Sequence, residues 1–543
     1  MPIAIRDDIF GANSPVDYNH WTLVATLQYL YPKGLMMDAM PSSSTYPYEP
    51  PTIIEILVLS SYIYILNAAG AIFEASIHAD LVGYLCVGMV YGPPLGNIIP
   101  TAWLNCFTSV GYIGLVLLVF QGGLITDLSM ILPNIMLSLC VALTGIALPI
   151  ALSIAYIPFA LDYTLLQGFA AGASLSSTSL GTTLAVLSAN SRASTSRPAE
   201  KTGPGSVVSA DAEPIDIRKT RLGTVLMTAA LADDVVALVL AAIVPKLGGG
   251  GFTWRAVVRP VLVSVAFVVC TPVLSKFAVN PILRRARRWD YTRIRGTSAS
   301  MMIANYVSRD AAYLFALVAV LSGFVTSASY AGTSELLGAY IAGCWLRATG
   351  RVLLLRTSSD TQDVPMDDTP TPPATIPMTS TSGLMNTGAN DAVADPFTIT
   401  FERYIEPVLH RVLAPLFFGS IGSSIPFLSL WRPARIVWQG FVFSILMAIG
   451  KAAAGVWWLV WPGRSVNDDP SSRLSRRTGA LFIGIALIAR GEIALLVASL
   501  ARSILQESPR GTQEELYSIV MWSTLACTVG GAMGVGFVVN RMR

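Results

Sequence analysis

Apolar residues run along this chain in long blocks separated by short polar stretches, and about 20 consecutive apolar residues are what an α-helix needs to cross a bilayer. Thirteen such spans are predicted, over residues 53–74, 80–98, 105–125, 130–157, 163–189, 220–246, 256–281, 310–328, 333–350, 405–426, 434–461, 478–501 and 515–540. The fold class expected is therefore an all-α polytopic membrane protein. Residues 1–52 form an extracellular or lumenal segment with no basic start leading into an apolar core, unlike a cleaved signal peptide. Residues 53–540 form the transmembrane domain, and 541–543 a short cytoplasmic end.

Lysine and arginine placement orients this array, because cytoplasmic loops carry the excess of basic residues. With thirteen spans, the loops 190–221, 282–309, 347–404 and 462–477 fall on one face and carry six, seven, four and four basic residues. The opposite face carries nine over comparable lengths, among them Lys246 and Arg259, so the N-terminus is predicted outside or lumenal and the C-terminus cytoplasmic. The cytoplasmic loops 190–219 and 351–404 are rich in Ser, Thr, Pro and Gly and are expected to be partly disordered.

Composition fits a multi-pass membrane protein: 53% of the 543 residues are hydrophobic and 13% charged, against about 25% charged in soluble domains. A net charge of +3 gives no footprint for nucleic acid. The six cysteines stand singly with no CxxC pair and read as small buried hydrophobes, and the three histidines are scattered, so a His-based metal site is not expected. No cofactor is implied.

The residues that carry chemistry are charges at mid-membrane, each of which costs about 2.5–3.5 kcal/mol to insert and so marks a functional candidate. The sixth span has Asp233 and Asp234 at its midpoint, in AALADDVVAL; the eleventh has Lys451, in ILMAIGKAAAGVWW; the twelfth has Arg490 and Glu492, in ALIARGEIALLVA. At the same depth the fifth span reads GASLSSTSLGTTLAVL, centred on Ser177 and Thr178, with seven hydroxyls and two glycines. That composition suits a broken helix whose freed carbonyls face an ion pathway, and Arg490-Gly491-Glu492 interrupts the twelfth span in a comparable way. Spans four to six and eleven to thirteen then form two triplets of inverted topology, a core transport bundle of about 130–246 plus 434–540. Neighbouring residues on a helix point about 100° apart, so the two aspartates divide their work. One pairs with Lys451 and the other faces the cavity to exchange H⁺ for a metal cation, and spacing leaves open which does which.

These residues resemble the monovalent cation:proton antiporter-2 family of sodium/hydrogen and potassium/hydrogen exchangers, its fungal members in particular. The resemblance is carried from about 53 to 540 by LVGYLCVGMVYGPPLG, VGYIGLVLLVFQGGL, SLSSTSLGTTLAVLS, LMTAALADDVVALVL, LLGAYIAGCWL, VLAPLFFGSIGSSIPF, ILMAIGKAAAG and ARGEIALLVASLA. It implies an antiporter rather than an enzyme, exchanging Na⁺ and/or K⁺ for H⁺ by alternating access. Asp234 would be the main carboxylate for the transported cation and the proton, and Asp233 the acid in a switchable pair with Lys451. Ser177 and Thr178 would line the crossing of two broken helices, and Arg490 and Glu492 would form a buried structural pair. It further implies a homodimer and, from the Asp-Asp pair, electrogenic exchange. Only three residues follow the last span, so gating through a cytoplasmic domain is not expected.

Other classes read less well. An intramembrane aspartyl protease places its acids on different helices, one in a GxGD motif that is absent here. A cation channel shares polar midplane groups and is the nearer rival. Glu55, Glu74, Asp80, Asp127, Asp310 and Glu335 sit near predicted helix ends and read as caps or solvated groups.

Overall fold

A computed structural model describes residues 50–126, 134–179, 221–248, 254–275, 277, 299–362, 395–461, 476–506 and 514–542. The chain divides into two compact units, Met1–Ile56 and Leu57–Arg543. Of the first, residues 50–56 are described. They open helix α1 (Ile53–Ile77) with a capping box, in which Thr52 N donates to Glu55 Oε2 (2.7 Å) and Glu55 N to Thr52 Oγ1 (3.3 Å). The second unit carries everything that follows.

The described residues are helical almost throughout. After α1 come α2 (Asp80–Tyr91), α3 (Thr101–Ile125), α4 (Ile135–Leu161), α5 (Leu165–Ser174), α6 (Arg221–Leu247), α7 (Trp254–Leu274), α8 (Ala299–Ala331) and α9 (Glu335–Gln362). Then follow α10 (Pro396–Tyr404), α11 (Ala414–Ser423), α12 (Phe427–Trp431), α13 (Ala434–Ala452), α14 (Arg476–Ala486), α15 (Glu492–Leu500) and α16 (Glu515–Met542). Seven of the described helices are long and apolar enough to cross a membrane, and Asp80–Tyr91 and Val257–Thr271 are shorter apolar helices. The fold is thus an all-α multi-pass membrane fold.

Several elements differ from the hydrophobic pattern, each for a local reason. The predicted span 80–98 stops as helix at Tyr91, where Gly92-Pro93-Pro94 follows. The span 405–426 is interrupted by a π-helical turn, Leu409–Leu413, ahead of α11. Pro415 has no N–H to give the carbonyl of Arg411, and that carbonyl instead accepts from Asn67 Nδ2 at 3.0 Å. Helix α9 continues to Gln362 and α10 begins at Pro396, both within the stretch 351–404 expected as a loop, and residues 363–394 lie outside the described residues. The loop 190–219 lies outside the described residues.

Helices pack into two groups. In one, α2 and α3 lie on α11, α3 lies on α9, and α8 on α9. In the other, α4 contacts α5, α6 and α13, while α16 contacts α13 and α14, and α15 contacts α6 and α5. Helix α7 touches both α6 and α9. Lipid removes the hydrophobic drive between helices, so close approach of small residues and interhelical hydrogen bonds hold them. A Cβ on Gly111 of α3 would lie 2.6 Å from the Cα of Phe417 on α11, closer than real side chains come. Hydroxyls inside the helices return to their own backbone, as Ser174 Oγ to Ala170 O (2.8 Å) and Thr524 Oγ1 to Val520 O (2.9 Å).

Gly111→Ala is expected to lower stability by about 1–3 kcal/mol, because Phe417 meets the new methyl with backbone that cannot swing away. Gly122→Ala, on the same helix with nothing within 4 Å, is expected to leave it unchanged or slightly raised. Thermal unfolding of the purified protein in detergent checks the pair.

Candidate functional site

The fifth and twelfth spans are the two that break. Helix α5 starts at a capping box between Thr164 and Gln167, ends at Ser174, and gives way to non-helical backbone at 177–179. Helix α14 ends at Ala486, and α15 begins at Glu492 after non-helical backbone at 489–491. The two breaks lie side by side. Ser179 N donates to Ala489 O (2.8 Å), Arg490 Nη1 donates to Ser177 O (2.8 Å), and Thr528 Oγ1 on α16 donates to Arg490 O (3.1 Å). Carbonyls left without helical partners are thereby paired inside a region with little water, where an unpaired one costs several kcal/mol. A Cβ on Gly491 would sit 2.8 Å from Ser179 Cβ, so glycine permits this contact. At the other end, Gln167 Nε2 donates to Ile504 O (3.1 Å) and ties the start of α5 to the segment after α15.

Arg490 is fully buried and lies at the carbonyl-rich ends of two half-helices, α5 and α14, whose partial negative charge a cation complements. Among the described residues Arg490 and Glu492 make no salt bridge with each other. Arg490 belongs to the extended break and is committed to the Ser177 carbonyl. Glu492 is the first residue of α15, where a carboxylate favours the helix N-terminus, and it is one of the charges that act on Asp234. Ser177 is buried, and its hydroxyl has no hydrogen-bond partner among the described residues.

Helix α6 is continuous through its acidic pair, so the two aspartates diverge by helical geometry. Asp233 points inward and is completely buried. Its Oδ2 accepts from Lys451 Nζ on α13 (2.5 Å) and from Thr178 Oγ1 (2.7 Å), and Lys451 Nζ also donates to Thr178 Oγ1 (2.8 Å). The three groups form a closed triangle: the hydroxyl passes its proton toward the carboxylate and offers a lone pair to the ammonium. Charge is balanced within it, which is what makes burial of Lys451 and Asp233 tolerable.

Asp234 is partly exposed and makes no salt bridge or hydrogen bond among the described residues; its Oδ1 is unpartnered, as is Asp233 Oδ1. Among the described residues, one carboxylate oxygen on each acid is therefore without a partner. A hard monovalent cation or a proton is the kind of ligand such oxygens accept. Asp233, Asp234, Lys451, Thr178, Ser177 and Arg490 are thus gathered around one crossing, with Glu492 acting on Asp234.

Two residues at this site were not singled out from sequence. Gly145 on α4 is the wall behind the ion pair: a Cβ there would lie 3.5 Å from Lys451 Nζ and 3.7 Å from Asp233 Oδ2. It is a lone glycine in an apolar helix, VALTGIALP, and that isolation was the available signal. Tyr340 on α9 is the other; its hydroxyl lies 3.1 Å from Thr126 Oγ1, and Asp234 acts on it electrostatically. An aromatic in LLGAYIAGCWL gives no such cue by itself.

Comparison with known proteins gives three findings. Residues 59–360 match the family described as sodium/hydrogen exchanger, transmembrane. The chain is 23% identical over 421 residues to the Na(+)/H(+)-K(+) antiporter GerN of Bacillus cereus, covering 77% of this chain and 80% of that protein. It also aligns with the solved structure of the sodium proton antiporter MjNhaP1 from Methanocaldococcus jannaschii at pH 8, with a TM-score of 0.48 and 13% identity, over 90% of this chain and 96% of that one.

Removing one partner from a buried ion pair leaves the other charge uncompensated, at a cost of about 3–5 kcal/mol. Lys451→Met is expected to lose stability on that scale, and Lys451→Met combined with Asp233→Asn to recover most of it. A double-mutant cycle by thermal unfolding checks this; additive losses would mean that the two side chains do not depend on each other.

Proposed function

Because the chain belongs to the sodium/hydrogen exchanger, transmembrane, family, which its residues 59–360 match, we propose a mechanism for it in which Asp234 alternately carries H⁺ and a monovalent cation while Asp233 waits on Lys451. The protein is a multi-pass membrane antiporter that exchanges a monovalent cation for H⁺ by alternating access, and not an enzyme. The finer reading takes Na⁺ and/or K⁺ as the cation, and the name of the Bacillus cereus relative, which includes both ions, supports keeping both. One observation carries it: Asp234, with no hydrogen bond or salt bridge among the described residues, stands next to an aspartate whose Oδ2 is held by lysine and threonine.

In this reading Asp234 faces the cavity, takes a cation from one side, and returns with a proton from the other. Either ligand neutralises it, so the loaded forms cross and the bare carboxylate does not. When a cation arrives, Asp233 leaves Lys451 and turns its free oxygen toward the ion, and Lys451 gives up its proton. Two protons then exchange for one cation, and a net charge moves in each cycle. Thr178 and Ser177 supply oxygens as the dehydrated ion settles, and Arg490 holds the crossing in register. Glu492 and Arg490 act on different partners in this scheme.

The remaining assignments belong to the same proposal. The core transport bundle is 130–246 plus 434–540 within a transmembrane domain of 53–540, built as thirteen helices with two inverted triplets. It moves against the other helices in a homodimer of the fungal type. The N-terminus lies outside or in a lumen and the C-terminus in the cytoplasm, in a plasma membrane or endomembrane. The basic loops support the orientation, and the aspartate pair supports electrogenic exchange.

The test uses purified protein in liposomes with an imposed Na⁺ or K⁺ gradient. Wild type is expected to move protons against the cation and to respond to membrane voltage. Asp234→Asn is expected to reduce exchange to background, and Asp233→Asn to retain exchange with weakened voltage dependence. Cation flux without proton movement would instead indicate a channel, and voltage-independent wild-type exchange would remove the electrogenic step.

A further inference from the structure

An open groove lies between α5, α6 and α7. Leu166, Phe169, Leu240, Ile243, Leu247 and Val257 line it, and every one is apolar. Leu240, Ile243 and Leu247 recur at helical spacing along one stripe of α6, and continuing that stripe by one step from Ile243 reaches Lys246. At this end of the groove, α6 finishes and α7 begins. There Lys246 and Arg259, both exposed, converge on the turn at Gly332. Lys246 Nζ donates to Gly332 O (2.9 Å), and the Arg259 guanidinium packs against Gly332, whose Cβ, if present, would lie 3.3 Å from Arg259 Cζ.

A structural role explains part of this arrangement. Gly332, at φ +84°, closes α8 with its N–H and that of Thr333 on Ala328 O, and cations suit such an end. A helix C-terminus presents only about half a negative charge, whereas two full positive charges meet here. Neither makes a salt bridge among the described residues. Glu335, the acid three residues after Gly332, is occupied by Ser329 Oγ (2.9 Å) and Tyr112 OH (3.2 Å). Positive charge is therefore left over at the membrane interface, directly beyond an apolar groove.

We propose that this groove holds an anionic phospholipid, its headgroup phosphate between Lys246 and Arg259 and an acyl chain along Leu240, Ile243, Leu247 and Val257. Charge complementarity selects the headgroup, and the wholly apolar lining selects the tail, so neither a zwitterionic lipid nor a free phosphate satisfies both. The bound lipid bridges α6, which carries the aspartate pair, to α7 and through Gly332 to the turn between α8 and α9. The site is independent of which ion is exchanged.

The test measures lipid retained by the purified full-length protein by native mass spectrometry, after exposure to phosphatidylcholine vesicles with and without phosphatidylglycerol. Thermal protection is read in parallel. Wild type is expected to retain and be protected by phosphatidylglycerol over phosphatidylcholine. Each interfacial cation contributes a factor of about five, so Lys246→Gln with Arg259→Gln weakens retention about thirtyfold. Val257→Trp, which fills the groove and keeps both cations, is expected to weaken it as well, whereas Lys246→Arg keeps it. The Val257 and Lys246→Arg variants decide the matter even if the doubly neutralised protein fails to fold. Equal retention of the two lipids by wild type, unchanged retention in Val257→Trp, or equal protection by glycerol phosphate would overturn the proposal.

Discussion

A lysine and an aspartate can be buried in this protein only because they meet each other and a threonine. Asp233 on α6, Lys451 on α13 and Thr178 after α5 come from three elements, and each arrives for a different reason. Helix α6 runs unbroken through the acids, α13 carries its lysine just before it tightens into a short 3-10 turn at Ala453–Gly455, and α5 stops early enough to free the backbone at Thr178. Gly145 of α4 lies directly behind them. Displace any of these elements and a full charge is stranded where water cannot reach it, so the triangle sets the relative position of the helices around it.

The two broken helices are the second consequence. Breaking a helix in a membrane leaves carbonyls and amides that must be paired. Here the breaks pair with each other through Ser179 and Ala489, with Arg490 and Thr528 supplying the remaining donors. Arg490 thus serves the backbone instead of an acid. That leaves Glu492 at the head of α15 to act on Asp234, an arrangement that makes the aspartate's surroundings more negative and more attractive to a cation.

Much of this was legible in the sequence because charges in apolar spans are so costly. Depth alone brought Asp233, Asp234, Lys451, Arg490 and Glu492 to one level, and the hydroxyl and glycine content of GASLSSTSLGTTLAVL marked a break that the structure places right after Ser174. What depth cannot give is direction. Spacing left open which of the adjacent acids meets Lys451, the resemblance named Asp233, and it is Asp233 Oδ2 that lies against Lys451 Nζ; the pairing of Arg490 with Glu492 likewise came from the resemblance alone. Gly145 and Tyr340 went unnoticed because a glycine or an aromatic in an apolar helix has many uses, and only neighbours from other helices distinguish them. The π-helical turn before α11 depended on Pro415 and on Asn67, which lies on a different helix.

Holding one oxygen of Asp233 on Lys451 and Thr178 is what sets Asp234 apart. With Lys451 and Thr178 committed to Asp233 Oδ2, the carboxylate oxygens of the pair left without a partner among the described residues are Asp234 Oδ1 and Asp233 Oδ1, and in the proposed cycle these are the groups for which a cation and a proton compete. The most direct measurement of that competition needs no membrane: weakly buffered purified protein is mixed with Na⁺ or K⁺ and the released protons are counted with a pH indicator. Wild type releases protons on cation binding, and Asp234→Asn releases none. Proton release by Asp234→Asn equal to that of wild type would contradict the account.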